Sequence, residues 1–178
     1  MRKIRNEELG RKSLSEFKSA PKHPVVLVLD DVRSLNNIGS VFRTADAFLL
    51  KGIFLCGITA SPPHREIHKT ALGAEDSIDW RYFKNIGEAL LKLKQDGYTI
   101  IVIEQAEGGI PLNEFSPTSE KNYAFVFGNE VQGVSETSMQ LADLAIEIPQ
   151  EGTKHSLNIA VCAGIVVWDY VLKLKLIN

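Results

Sequence analysis

Three stretches of this chain gather polar, charged and glycine residues at points where strands should give way to helices. The first is Asn36-Asn37-Ile38-Gly39-Ser40-Val41-Phe42-Arg43-Thr44-Ala45. Its apolar residues at 38, 41, 42 and 45 have helical spacing, so it reads as the opening turns of a helix laid on a sheet. Arg43 lies off that apolar stripe, and from there it would reach back over the sheet edge beside Asn36. A guanidinium at such an edge offers a fixed fork for phosphate or carboxylate. The plainer alternative is a surface arginine on an amphipathic helix. Gly39 leaves room for another backbone, or a ligand, to come close.

The second stretch is Phe127-Gly128-Asn129-Glu130-Val131-Gln132-Gly133, again at a strand end. Two glycines bracket one carboxylate, so backbone groups can line a pocket that presents Glu130. It is neither a Walker A loop nor a GxGxxG dinucleotide fingerprint. The third is Ile146–Trp168, in which a short strand ends at Pro149 and a loop passes Gly152. The polar residues Lys154, His155, Ser156 and Asn158 then lead directly into an uncharged run from Ile159 to Trp168. That run reads as a buried helix. Its polar entry suits a ligand with negative or carbonyl oxygens, or it is simply a helix capped by Ser156.

The elements that must hold these stretches alternate along the chain. Val25–Val32, Gly52–Ile58, Tyr98–Glu104, Tyr123–Phe127 and Leu144–Ile148 read as strands. Asn37–Leu50, His64–Leu72, Ile86–Gln95 and Glu136–Ala142 read as helices, and Ser77–Phe83 as an edge strand. Nearly continuous apolar strands between helices predict an α/β fold with a mostly parallel sheet covered on both faces. Residues 107–117 are rich in Gly and Pro and read as a loop.

The chain has 178 residues, 44% hydrophobic and 24% charged, enough for one substantial core. No apolar run reaches the roughly 18–20 residues that span a bilayer, and the N-terminus lacks the apolar stretch of a signal peptide, so a cytoplasmic location is expected. The net charge of −2 hides an asymmetry: residues 1–24 carry seven Lys/Arg against three acids. This basic arm, with Ile4, Leu9, Leu14 and Phe17 spaced along one helix, could meet phosphates or merely be a solvated face. Cys56 and Cys162 sit inside apolar segments without a CxxC partner and read as core residues. His64 and His68 are four apart, but the pattern is not HExxH and has no third ligand, so no metal is expected.

Taken together and in order, N-x-x-G-x-x-x-R-T-A, F-G-N-E-x-x-G and I-P-x-x-G-x-x-x-S-L-N resemble the three motifs of the SpoU (TrmH) family of SPOUT RNA methyltransferases. The resemblance runs from about Val25 to the C-terminus. It implies an arm (1–24) and a catalytic domain (25–178) whose C-terminal segment forms a trefoil knot. It implies transfer of a methyl group from S-adenosylmethionine to a ribose 2′-oxygen of tRNA or rRNA, without a metal, by a homodimer whose partner subunit completes each site. By position it assigns catalysis to Arg43, Asn36, Glu130 and Asn158, and cofactor binding to Phe127, Gly128, Ile148, Pro149, Ser156 and Leu157. Motif three departs from the frequent S-L-N-V-S at Ala160, and Gln150 stands where Met is common. With no separate RNA-binding domain in evidence, target recognition would fall to the basic arm and the catalytic-domain loops. The rival expectations are a non-catalytic RNA-binding protein of the same fold and a base-methylating enzyme.

Overall fold

The computed structural model describes residues 1–153 and 156–177; Lys154 and His155, part of the polar entry of motif three, lie outside them. Seven strands form one sheet: β1 (His23–Asp30), β2 (Leu50–Cys56), β3 (Trp80–Phe83), β4 (Tyr98–Ile103), β5 (Ile110–Pro111), β6 (Asn122–Phe127) and β7 (Leu144–Glu147). Their spatial order is β3-β2-β1-β6-β4-β7-β5. Every pairing is parallel, as the apolar strands predict. β5 is the one strand sequence patterning misses, because two residues carry no period; it pairs with β7 from inside the 107–117 loop.

The helices are α1 (Leu14–Ser19), α2 (Leu35–Ala47), α3 (Arg65–Ala71), α4 (Ala74–Ser77), α5 (Ile86–Gln95), α6 (Glu136–Leu141) and α7 (Ile159–Ile177). Alternate residues of the central strands feed two cores. Val25, Leu27 and Leu29 of β1, with Tyr123, Phe125 and Phe127 of β6, pack under residues of α1, α2, α3, α4 and α7. Val26 and Val28, with Ala124 and Val126, pack under α5 and α6.

Two sequence expectations change. The N-terminal arm is not one helix: a 3-10 turn at Asn6–Leu9 stops at Gly10, whose φ of 57° is left-handed, and α1 restarts behind a Ser13–Glu16 capping box. Of its four apolar residues only Phe17 is buried; Ile4, Leu9 and Leu14 remain exposed. Nor is α7 buried all round. Ala163, Val166, Val167, Tyr170 and Val171 enter the core, whereas Val161, Ile165, Trp168 and Leu172 form an exposed stripe at i, i+4, i+7 and i+11.

Gly39 does serve a close approach, to a backbone. A Cβ there would collide with the carbonyl of Ile67 and the hydroxyl of Thr70 on α3. The α2–α3 crossing therefore needs glycine at this position.

Candidate functional site

The loops that follow β4 and β6, together with the segment leading from β7 into α7, enclose a cavity of about 670 Å³. Of the residues assigned from the sequence, Phe127, Gly128, Glu130, Ile148, Ser156, Leu157 and Asn158 line it. Pro149 does not; it is exposed beside the lining residues Ile148 and Gln150. Apolar walls come from Ile103, Phe127, Ile146, Ile148 and Ile159, and carboxylates from Glu104, Glu130 and Glu147. No Lys or Arg lines it among the described residues. The motif-two loop folds back tightly: Asn129 and Gly133 exchange backbone hydrogen bonds at 2.8 and 2.9 Å, and a Cβ on Gly128 would collide with Gly133. Asn129, 6% exposed, donates its Nδ2 to the Asp31 carbonyl (2.7 Å) and accepts at Oδ1 from the N–H groups of Val131 and Gln132.

Glu130 does not stand free in this loop. Its carboxylate accepts from the backbone N–H groups of Arg33 and Ser34 (both 3.1 Å) and from Asn37 Nδ2 (3.2 Å). It thus ties motif two to the entry of α2. Burial would raise its pKa, but hydrogen bonds from its own backbone N–H, from Arg33, Ser34 and Asn37 outweigh that and hold it below the ordinary carboxylate value.

Asn37 also accepts, at Oδ1, from Asn158 Nδ2 (3.1 Å). Asn158 Oδ1 in turn accepts from the N–H groups of Ala160 (2.9 Å) and Val161 (3.4 Å). The cap of α7 is therefore Asn158, not Ser156. One chain of side-chain hydrogen bonds, Glu130–Asn37–Asn158, joins all three motifs, and Asn37 is its centre. Sequence reasoning settled on the neighbouring Asn36, whose side chain is exposed; only its backbone carbonyl is engaged, by Ser40 and Thr70.

Arg43 lies elsewhere. It sits seven residues along α2 from Asn36, about 10 Å at 1.5 Å per residue, on the same exposed face. The helix runs antiparallel to the strands and carries it away from the sheet edge, so the expected reach back over that edge is not made. Arg43 instead lines a groove between α2 and α3 with Ser40, Thr44, Lys69 and Thr70, and this groove shares no lining residue with the cavity. Lys69 holds Glu66 at 2.7 Å; Arg43 has no hydrogen-bond or ion-pair partner among the described residues.

The remaining candidates do less. His64 Nδ1 accepts from the Glu66 N–H, and His68 Nδ1 meets Glu75 at 2.5 Å. Among the described residues no group of three or more His, Cys, Asp or Glu is arranged to hold a metal. Cys56 is buried, and Cys162, on the cavity wall, has its thiol pushed up to about 12 by burial and by the charge of Glu104. Burial disfavours the thiolate at both cysteines.

A parallel α/β sheet with a cavity at its strand ends, walled by three loops, has the layout in which α/β proteins take their ligands. The sequence pattern of the SpoU rRNA Methylase family matches residues 24–168. The chain is 31% identical over 145 residues to the 23S rRNA (guanosine-2'-O-)-methyltransferase RlmB of Nitrosomonas europaea, covering 82% of this chain and 55% of that protein. It is 28% identical over 162 residues to the tRNA (guanosine(18)-2'-O)-methyltransferase of Thermus thermophilus, covering 91% and 81%. The crystal structure of an AdoMet-bound rRNA methyltransferase from Sinorhizobium meliloti superposes with a TM-score of 0.77 at 27% identity, covering 84% of this chain and 56% of that one. The chain belongs to the SpoU rRNA Methylase family. It spans just over half the length of the RlmB proteins of Nitrosomonas europaea and Neisseria meningitidis.

Proposed function

We propose that this chain transfers a methyl group from S-adenosylmethionine to a ribose 2′-oxygen of tRNA or rRNA. The observation that carries the reading is the single hydrogen-bonded line, Glu130–Asn37–Asn158, that brings the three family motifs to one cavity. The cavity's volume suits a nucleoside-sized ligand, its isoleucines and Phe127 suit an adenine ring, and its carboxylates suit a cationic sulfonium. Phe127, Gly128, Ile148, Ser156 and Leu157 would hold the cofactor, with Pro149 fixing the chain between Ile148 and Gln150. Held there, S-adenosylmethionine would supply a methyl carbon made electrophilic by its bond to the sulfonium, for transfer to the ribose oxygen with the neutral thioether as leaving group.

The hydroxyl must lose its proton as it attacks. A guanidinium keeps its own proton at any ordinary pH and is a poor base. Arg43, with Lys69 across the groove, is well suited to grip the substrate phosphodiester, steady the developing negative charge and leave the proton to a phosphate oxygen. Glu130 and Asn158 then hold the site together through Asn37, and Asn36 lies on the same face of α2 as Arg43.

Because the Arg43 groove and the cavity share no wall, we infer that a second copy brings its Arg43 to this subunit's cavity. The exposed stripe Val161, Ile165, Trp168 and Leu172 on α7, continued by Phe48 of α2 at 6.0 Å from Trp168, is an apolar face that supports such a homodimer. The trefoil knot belongs to the same reading, with the 128–134 loop and the segment entering α7 as its interlocked parts. So do the division into an arm (1–24) and a catalytic domain (25–178), the arm's contact with RNA, and a cytoplasmic site of action. No helix among the described residues is long and apolar enough to cross a membrane.

Calorimetric titration with S-adenosylmethionine tests the cofactor half of this reading, and the Arg43→Lys variant tests the transfer half. The expected results are one cofactor per chain, and at least about a 100-fold loss of transfer with unchanged cofactor affinity, since lysine cannot reproduce a bidentate fork. A wild-type chain that binds no cofactor, or a lysine variant with near-full activity, contradicts it.

A further inference from the structure

β6 lies between β1 and β4 in the sheet, and a carboxylate stands at the end of β1 and just past the end of β4. Asp30, the last residue of β1, is 2% exposed and accepts at Oδ2 from the Ser135 N–H (3.0 Å) and the Ser138 hydroxyl (2.8 Å). Glu104, the first residue past β4, accepts at Oε2 from the Val134 N–H (3.0 Å). Two consecutive peptide N–H groups at the end of the motif-two loop are therefore held by carboxylates reaching in from the two strands that flank β6. The two are not equivalent. Asp30 is buried under the start of α6, whereas Glu104 is half-buried and lines the cavity beside that loop.

From this geometry we propose that Glu104 is the positioning residue for the cofactor: by fixing Val134 it sets the shape of the loop wall against which the cofactor lies. The inference rests on the reading of the cavity as the cofactor site. Two details point the same way. Glu104 Oε2 occupies the place a side chain at position 133 would need, so Gly133, with φ of 71°, is matched to this carboxylate. The other oxygen, Oε1, meets the N–H of its own neighbour Gln105 (3.1 Å). The carboxylate is thus braced from both ends, and hydrogen bonds to a charged acceptor are among the stronger ones a loop can use. The charge of Glu104 is also felt across the cavity at Cys162.

The test uses the full chain, S-adenosylhomocysteine as the calorimetric probe, and two variants. Glu104→Ala removes the acceptor and is expected to weaken binding about ten-fold or more, since a lost charge-assisted hydrogen bond is of that order. Glu104→Gln keeps an oxygen for Val134 and is expected within about three-fold of wild type. The KM for S-adenosylmethionine should follow the binding constant while kcat changes several-fold less. Amide hydrogen exchange supplies the readout a general loss of stability would not give: in Glu104→Ala, Gly133 and Val134 should lose protection while β6 keeps it. Wild-type binding by Glu104→Ala, a glutamine variant as weak as alanine, or loss of protection throughout β6 would overturn the proposal. A wild-type chain that does not bind the probe would instead sink the cofactor reading, and the exchange experiment would still decide whether Glu104 shapes the loop.

Discussion

Asn37 is the residue through which the three motifs act on one another, and its chemistry there is specific. Its Nδ2 donates to Glu130 while its Oδ1 accepts from Asn158, so it must be an amide. Asn37→Asp would set a carboxylate against the carboxylate of Glu130. It is expected to lower transfer at least about 100-fold at neutral pH and to cost roughly 1–3 kcal/mol of stability, measured by kcat/KM and denaturant unfolding. Glu130 makes a complementary prediction. Because its folded pKa is depressed, its hydrogen bonds stabilise the fold fully above the ordinary carboxylate value of 4.5 and are lost as pH falls through the lower folded value. The stability gap between wild type and Glu130→Gln should therefore be constant from about pH 6 to 8 and shrink below about pH 4.5 in unfolding titrations. At this scale residue types in order pointed to Glu130 and Asn158, which line the cavity, and to Arg43, which lines the separate groove. They did not separate Asn37 from Asn36, and they passed over Glu104. Both choices turn on partners tens of residues away, such as the 93-residue step from Asn37 to Glu130, and local spacing holds no trace of them.

Among the elements, α7 presents two different apolar faces. Inward, Tyr170 sits among His23, Tyr123 and Phe125, 1% exposed, with its hydroxyl unpaired among the described residues. A buried hydroxyl without a partner is a cost, so Tyr170→Phe is expected to be neutral or to stabilise by about 1 kcal/mol on thermal unfolding. Outward, Trp168 is 55% exposed at the middle of the apolar stripe. If that stripe joins two copies, Trp168→Glu should yield monomers by sedimentation and abolish transfer while leaving the monomer folded. A monomeric wild type would contradict this. The uniform apolar run hid this division, since a helix with no polar face gives no signal of which side meets the core. The arm misled for the opposite reason: a plausible apolar spacing was overruled by Gly10 and by the Ser13 cap. The alternation of apolar strands with helices, by contrast, made the α/β fold legible, because each strand and helix carries its own period.

For the whole molecule, the parallel sheet was legible, whereas the strand order that puts β6 between β1 and β4 was not, because order is a property of long-range pairing. That order is what lets loops from distant parts of the chain share one cavity. The cavity and the groove that holds Arg43 share no lining residue, and the proposal of a second copy starts from that observation. Incubation of the protein with methyl-labelled S-adenosylmethionine and RNA from cells lacking it, followed by digestion to nucleosides, reports where the methyl group goes. The account predicts label on the 2′-oxygen of a ribose, in tRNA or rRNA, lost in Arg43→Ala. Label on a base, or no label from a protein that binds both cofactor and RNA, would contradict it.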